Sequence, residues 1–310
     1  MLAHWDDVPA TDGTLGHLGG RWRDLGEAAG SRDVGVNRID VAPERWSTPL
    51  HRERAEEEIF YVLAGSGVSL QDDRAYDVRA GDCLVHRAAH EAHTLRAGPD
   101  GLDVLAYGTR VSTQFTALPR AGIYRLGDTW GDLGSGERPW QREVAAGEPD
   151  VPEPSERPPT IVNVADVEED EGWRELGRAA GAERTGLNHV RVAPGKLNCP
   201  PHCHSAEEEI FVVLEGSGTL ELLPAPAWRE AGREPETHDL RPGHVVSRPP
   251  GTGIAHAFRG GGDGLTLLAY GTRDRKDVAY YPRSNKIYFR GVGVMARLEH
   301  LSYGLDEPDE

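Results

Sequence analysis

Short runs of β-branched and aromatic residues, interrupted by glycine turns, dominate the hydrophobic pattern of this chain. The segments EIFYVLAGSGVSL from Glu58 and EIFVVLEGSGTLELL from Glu209 have strand composition and contain Gly-x-Gly turns. Helical periodicity is confined to short pieces around LGEAAG, from Leu25, and LGRAAG, from Leu176. The pattern therefore predicts an all-β protein with few short helices.

The pattern occurs twice along the chain. The same offset of 151 residues separates Trp22 from Trp173, His51 from His202 and Glu58 from Glu209. This repetition indicates an internal duplication of one domain. We predict an N-terminal domain over residues 1–135, an extended proline-rich linker over 136–160 and a C-terminal domain over 161–310.

Composition limits the classes of function. The 310 residues include 27% charged and 38% hydrophobic residues, as in a globular protein, and carry a formal net charge of -17. That charge repels phosphate backbones, so we expect no nucleic-acid partner. No apolar run is long enough for a membrane span, and the start, MLAHWDDVPA, lacks the features of a secretory signal. We therefore expect no membrane partner, a cytoplasmic location and reduced cysteines.

Histidines and acidic residues cluster in PPHCHSAEEEIF of the second copy. In a strand, His202 and His204 point to one face while Cys203 points to the other. Three glutamates follow, and Glu209 reaches the histidine face only if the chain bends before it. His256 follows a later strand and a Pro/Gly turn. Imidazole and carboxylate donors suit a divalent transition metal such as Mn, Fe, Ni, Cu or Zn.

The spacing of these residues resembles a known family. The segment from Gly195 through the two histidines and Glu209 to Gly216 is similar to the first motif of the cupin superfamily, and Gly243 to His256 is similar to the second. The resemblance implies two tandem jelly-roll β-barrels, a bicupin, with four metal ligands: His202, His204, Glu209 and His256. Two departures, an extra residue in the first motif and a missing asparagine in the second, fall outside the ligands. The W..LG.AAG, EEEIF.VL.GSG and DVAYYPRSNK segments resemble a bacterial cupin group without an assigned function.

The first copy aligns different residues with the motif. The corresponding set is His51, Glu53, Glu58 and His93, with a glutamate in place of the second histidine. Such a set is a possible second metal site that favours harder cations. The alternatives are a degenerate domain kept for packing, or substitution by the nearby histidines, His86 and His90.

The resemblance leaves the activity open. We expect a small-molecule enzyme of dioxygenase, decarboxylase or isomerase type in the C-terminal barrel, with Glu209 suspected of a second, proton-accepting role. The alternative is a non-catalytic barrel that binds or senses a small ligand. A third interpretation makes the first copy structural and the second catalytic. Tyr281, Arg283 and Lys286 either approach an anionic substrate or cover the barrel, and we expect a homodimer.

Overall fold

Two antiparallel β-barrels make up the chain. The structure, a computed structural model, describes residues 1–111, 113–127, 129–132 and 139–299. Each copy contributes one large sheet and one small four-stranded sheet. The prediction of an all-β chain with two tandem barrels and few short helices is confirmed. None of the helices in those ranges is long and apolar enough to span a membrane.

The first copy provides twelve of the described strands and two helices. The strands are β1 (Leu2–His4), β2 (Thr11–Leu15), β3 (Leu18–Asp24), β4 (Val34–Val41), β5 (Arg52–Glu53), β6 (Glu58–Gln71), β7 (Arg74–Arg79), β8 (Asp82–His86), β9 (His93–Thr109), β10 (Phe115–Leu118), β11 (Ile123–Leu126) and β12 (Thr129–Asp132). The helices are α1 (Leu25–Ala28) and α2 (Pro139–Ala145).

The second copy follows the same order. Its strands are β13 (Ile161–Asn163), β14 (Trp173–Arg174), β15 (Thr185–Val192), β16 (Cys203–His204), β17 (Glu209–Pro224), β18 (Glu236–Leu240), β19 (His244–Arg248), β20 (Ile254–Thr272), β21 (Val278–Tyr281), β22 (Lys286–Phe289) and β23 (Val294–Arg297). Its helices are α3 (Leu176–Ala179) and α4 (Pro226–Glu230), with short 3-10 turns at Val164–Asp166 and Arg290–Val292.

The two copies exchange their first strands. Strand β1 pairs with β19 of the second barrel, and β13 pairs with β8 of the first. Each large sheet is therefore completed by the other copy, with orders β13-β8-β6-β9-β4-β3-β2 and β1-β19-β17-β20-β15-β14. The predicted division at residues 135 and 161 stays a prediction, and residue 135 lies outside the described ranges.

A shared core joins the barrels. It includes Leu25, Ile59 and Tyr107 from one copy and their counterparts from the other, with the Tyr107 and Tyr270 rings 5.0 Å apart. Two buried glutamates cross this interface in opposite directions. The Glu208 carboxylate accepts hydrogen bonds from the backbone N–H groups of residues 32 to 34. The Glu57 carboxylate accepts the equivalent bonds from residues 183 to 185.

These glutamates explain part of the EEE motif. Both are almost fully buried, at 1% exposure for Glu57 and 0% for Glu208. A buried carboxylate must be hydrogen-bonded to be tolerated, and three convergent N–H donors meet that need. The middle glutamate of each motif therefore joins the two barrels.

The predicted linker is not wholly extended. Residues 136–138 lie outside the described ranges, but α2 follows directly and packs on the first barrel. Trp140 and Val144, one helical turn apart, contact the cluster that contains Leu18 and Trp46. Two apolar positions in a polar stretch are too few to reveal this helix by periodicity. In the second copy, a helix also lies between two hairpin strands: α4 stands between β17 and β18, the strand that carries His238.

The small sheets help to position the candidate metal ligands of each copy. In the second copy, β16 pairs with β21, so that His204 lies opposite Ala279. In the first copy, β5 pairs with β10, and Glu53 lies opposite Thr116. The chain then leaves the small sheet and enters the large one at Glu209 or Glu58, the first residues of β17 and β6. This change of sheet supplies the bend that turns the glutamate toward the histidines.

Candidate metal centres

The structure brings the four predicted residues of the second copy together. Donor atoms of His202, His204 and Glu209 all lie within 4.8 Å of one another. Glu209 Oε2 is 3.3 Å from His204 Nε2 and 3.1 Å from His256 Nε2. An antiparallel backbone bridge between His202 and His256 holds the chain segments that carry these two histidines side by side. Their binding of a metal stays a prediction from geometry.

Neighbouring groups orient two of these imidazoles. His202 Nδ1 donates to the Pro200 carbonyl at 3.0 Å, and His204 Nδ1 donates to Asp277 Oδ2 at 2.7 Å. With the proton on Nδ1, each ring keeps an Nε2 lone pair for a ligand. The other oxygen of Asp277 accepts backbone N–H groups from residues 205 to 207. Asp277 therefore fixes both the chain turn and the His204 tautomer.

Asp277 was missed from sequence alone. It is 1% exposed and lies 73 positions after His204. Its signal was available in the repeat, since it is the fourth residue after the second LAYGTR, and Gln114 is the fourth after the first.

Unsatisfied buried atoms show that a cation fits this cluster. His204 Nε2 and Glu209 Oε2 are both buried and have no hydrogen-bond partner among the described residues. Buried polar atoms ordinarily have partners, so a pair without them marks a place for another group. Three imidazoles and one carboxylate form a donor set for a divalent transition metal. The donors do not decide which ion binds.

Electrostatics agree with this donor set. Burial opposes the charged form of His204, but Glu209 and Asp277 outweigh it and raise the pKa of His204 to about 10, so a metal ion binding there would displace a proton from Nε2. Burial lowers the pKa of His256 to about 3, despite the nearby carboxylate. Burial also works against ionised Glu209, yet the histidines hold the pKa of that carboxyl well below its ordinary value. The carboxylate is therefore a charged ligand at neutral pH.

Arg248 adds a positive charge that the sequence did not single out. It lies directly across the β17–β19 ladder from Glu209, so the two side chains emerge on the same face of the sheet. Arg248 is 8% exposed, and its Nη2 donates to the Ile254 carbonyl at 2.7 Å. Its Nε has no hydrogen-bond partner within the described part of the chain.

The first copy forms a smaller cluster. Donor atoms of His51, Glu58 and His93 lie within 4.8 Å of one another. Glu58 Oε2 is 2.8 Å from His93 Nε2 and 3.5 Å from His51 Nε2, and His51 Nδ1 donates to the Pro49 carbonyl at 3.0 Å. The orientation of His51 thus repeats that of His202.

Glu53, the fourth predicted residue, is not part of that cluster. Its Oε1 accepts a hydrogen bond from Thr116 Oγ1 at 3.4 Å. Burial and the Glu58 charge raise the pKa of Glu53 to about 9, although the Gln114 amide beside it acts in the opposite direction. The pairs Glu53 with Gln114 and His204 with Asp277 are therefore equivalent, and both members differ between the copies.

The other candidates have distinct surroundings. His86 stacks on His93 with ring centroids 3.8 Å apart and bonds to Glu91, whereas His90 is exposed. Tyr281 stacks on His202 at 5.5 Å. Arg283 forms an ion pair with Glu221 at the surface, and Lys286 lies over the Tyr281 ring. Tyr281 of the YYPRSNK segment therefore contacts the four-residue cluster directly, through His202.

The three cysteines are free. Cys83 and Cys203 are buried and Cys199 is partly buried. The Cys203 sulfur faces the Tyr280 carbonyl, away from the two neighbouring histidines. Cys199 Sγ is 3.7 Å from His202 Nδ1, so it contacts the ring at its outer nitrogen.

Comparisons with known proteins agree with the fold. The model of the cupin domain family matches residues 37–104 and 188–269, one region in each barrel. The solved oxalate decarboxylase of Lactobacillus farciminis, in its formate complex, is 16% identical with a TM-score of 0.59, covering 88% of this chain and 86% of that one. Oxalate decarboxylase from Bacillus subtilis at pH 4.6 is 16% identical with a TM-score of 0.61, covering 88% and 76%.

A further Bacillus subtilis structure comes from a study of the Mn(II) centres of that enzyme. It is 17% identical, has a TM-score of 0.59 and covers 90% of this chain and 78% of the other. No match was found among curated protein sequences. At such identities the structural likeness establishes the fold. With a cupin domain match in each barrel, the chain belongs to the cupin superfamily and is a bicupin.

Proposed function

We propose that this bicupin is a metal-dependent enzyme that acts on a small carboxylate in its second barrel, with decarboxylation as the reaction. One observation carries the proposal. A three-histidine, one-glutamate cluster has unsatisfied buried donor atoms and a buried arginine on the same sheet face. The similar solved structures are oxalate decarboxylases, which supports this reaction class by analogy of fold.

His202, His204, Glu209 and His256 would hold the metal. A divalent ion bound there would act as a Lewis acid toward substrate oxygens. Asp277 holds the His204 proton on Nδ1 and keeps the ring aimed at the site. Neither action depends on the first barrel.

Arg248 accounts for the preference for an anion. Its guanidinium stays charged when buried, and its charge lies beside a cluster with only one ligating carboxylate. Together with a divalent ion, the centre then has a net positive charge that favours a carboxylate over a neutral substrate. The suspected second role of Glu209 as a proton acceptor stays a prediction, and the low pKa of its carboxyl counts against it.

Metal content is the first measurement. Mass spectrometry on untagged protein should show about one metal ion per chain lost in His204→Ala, with His51→Ala reporting the first barrel separately. Metal-loaded protein is then tested with oxalate and other small carboxylates for release of CO2, in air and without oxygen. Release of CO2 without oxygen consumption supports decarboxylation, whereas required oxygen consumption indicates a dioxygenase.

An arginine pair tests the charge argument. Arg248→Met should raise the KM for the carboxylate at least tenfold, because the buried cation is lost. Arg259→Met, at a partly exposed arginine paired with Glu221, should leave KM unchanged. Protein that binds metal and carboxylate without turnover would be a binding module instead. A homodimer stays a prediction, measurable by light scattering.

A further inference from the structure

A cavity of about 670 Å³ lies in the first barrel and reaches the His51, Glu58 and His93 cluster. This volume is typical of sites for small organic ligands. Besides the cluster, its lining residues are mostly apolar or neutral: Thr11, Gly13, Thr14, Leu15, Leu18, Trp22, Asn37, Ile39, Ser47, Thr48, Phe60, Thr94, Leu95, Ala106 and Trp140.

Strand β2 and helix α2 build part of this cavity. Strand β2 pairs with β3 and brings Leu15 to the wall, whereas the described large sheet of the second copy ends at the two-residue β14. Helix α2 contributes Trp140, whose ring meets Trp22 edge to face at 6.1 Å. Within the described ranges neither element has a counterpart in the second copy, so the described surroundings of the two centres differ.

Helix α2 is fixed in this position by several contacts. Glu143 is fully buried and forms an ion pair with Arg120 at 2.9 Å. Val144 lies so close to Gly16 that a Cβ at that glycine would come within 2.6 Å of it. Beyond the helix, Glu148 accepts a hydrogen bond from the Trp46 indole at 3.0 Å. The segment between the barrels therefore forms one wall of the first cavity.

The first cavity lacks the buried arginine that lies beside the second centre. No lysine or arginine is present among its lining residues. The position equivalent to Arg248 is His86, which lies across the β6–β8 ladder from Glu58 and stacks on His93. The buried cation that would attract a carboxylate is thus replaced by an aromatic ring.

We infer that the first cavity is a second, separate binding site for an uncharged and largely apolar molecule. Such a molecule would have an aromatic body and two adjacent hydroxyl groups. The body would lie against Trp22, Phe60 and Trp140, since aromatic faces favour one another in stacked or edge-on contacts. The two hydroxyl groups would face the His51, Glu58 and His93 cluster. A small dianion such as oxalate would leave most of the volume unfilled and would find no arginine or lysine among the lining residues.

The test uses calorimetry on full-length, Mn(II)-loaded protein with 2,3-dihydroxynaphthalene as the probe and oxalate as the competitor. Ala106→Phe fills the cavity from β9, and Trp140→Ala removes the aromatic wall that α2 provides. Each has a matched control in the second copy. Ala269→Phe changes the alanine equivalent to Ala106, and Trp228→Ala removes a 40% exposed tryptophan from α4.

We expect one probe molecule per chain, with affinity at least tenfold lower in Ala106→Phe or Trp140→Ala, unchanged in the two controls and unaffected by oxalate. An absent probe signal, equal affinity in both first-barrel variants and the parent, loss in a control, or displacement by oxalate would overturn the inference. Because the readout is binding, it is independent of the carboxylate turnover proposed for the second barrel. Failure of one proposal therefore leaves the other measurable.

Discussion

Replacing Asp277 by asparagine should weaken metal binding in the second barrel while leaving the fold intact. The Asp277 side chain has two tasks, carried out by different oxygens. One oxygen accepts backbone N–H groups of residues 205 to 207 at 3.0 to 3.2 Å, and an asparagine oxygen can do the same. The other accepts the His204 Nδ1 proton at 2.7 Å, and an asparagine NH2 group cannot.

The magnitude follows from this change of donor and acceptor. An NH2 group facing Nδ1 favours the tautomer with its proton on Nε2, where the metal lone pair is needed. Loss of such an outer partner typically lowers metal affinity by about 10 to 100-fold. Since each factor of ten equals about 1.4 kcal/mol, the expected loss of binding free energy is about 1.4 to 2.8 kcal/mol.

A competition titration of Mn(II) or Co(II) against a chromophoric chelator measures this affinity directly. Asp274→Asn is the matched control, since Asp274 lies in the same loop and its side chain accepts the Lys276 N–H at 2.8 Å. Thermal unfolding of the metal-free variants checks that the fold is retained. If Asp277→Asn binds metal as tightly as the parent, the assigned role in fixing the His204 tautomer is wrong.

Three other predictions concern the stability and chemistry of the whole chain. Glu208→Ala leaves three backbone donors without their acceptor and should lower the free energy of unfolding, measured in urea, by about 3 kcal/mol. Glu215→Ala, at an exposed glutamate, should change that free energy by less than about 0.5 kcal/mol. Equal effects of the two substitutions would refute the role of Glu208 at the interface between the barrels. Chelation of a metal that was present at 100 times its Kd should remove about 2.7 kcal/mol of unfolding free energy, and unchanged thermal unfolding after removal would contradict the ligand assignment. Burial raises the pKa of the Cys199 thiol to about 12 and that of Cys203 to about 11, and it also raises the pKa of Cys83. Native protein at pH 8 should therefore react slowly with a disulfide reagent, whereas unfolded protein should react fully. Fast labelling of the native protein would show that these thiols are accessible.

Local pattern was sufficient for two β domains and for the clustered histidines, whereas the jelly-roll barrels were implied by the resemblance to cupins. Strand-type composition, glycine turns and motifs repeated in the same order predict two β domains, because strand and turn preferences are local properties of the chain. Spacing near His202 and His204 predicts a shared face for the same reason. Glu209 could be selected only through resemblance to cupin motifs, since its orientation depends on the chain moving from the small sheet to the large one.

The paired difference between the copies was also present in the sequence. The second copy has the pair His204 and Asp277, and at the equivalent positions the first copy has Glu53 and Gln114. Alignment of the two copies past LAYGTR shows this exchange. Its meaning needed the structure, because 73 residues separate His204 from the carboxylate that orients it.

The sequence by itself therefore determined the duplication, the β architecture and the residue types able to hold a metal, all of which depend on neighbours along the chain. Tertiary structure alone decided which groups act together across the fold. It placed Arg248 beside Glu209, exchanged the first strands between barrels, and directed Glu208 into the opposite copy. It also turned part of the proline-rich segment into a wall of the first cavity, because Trp140 gains burial only against a surface that distant strands assemble.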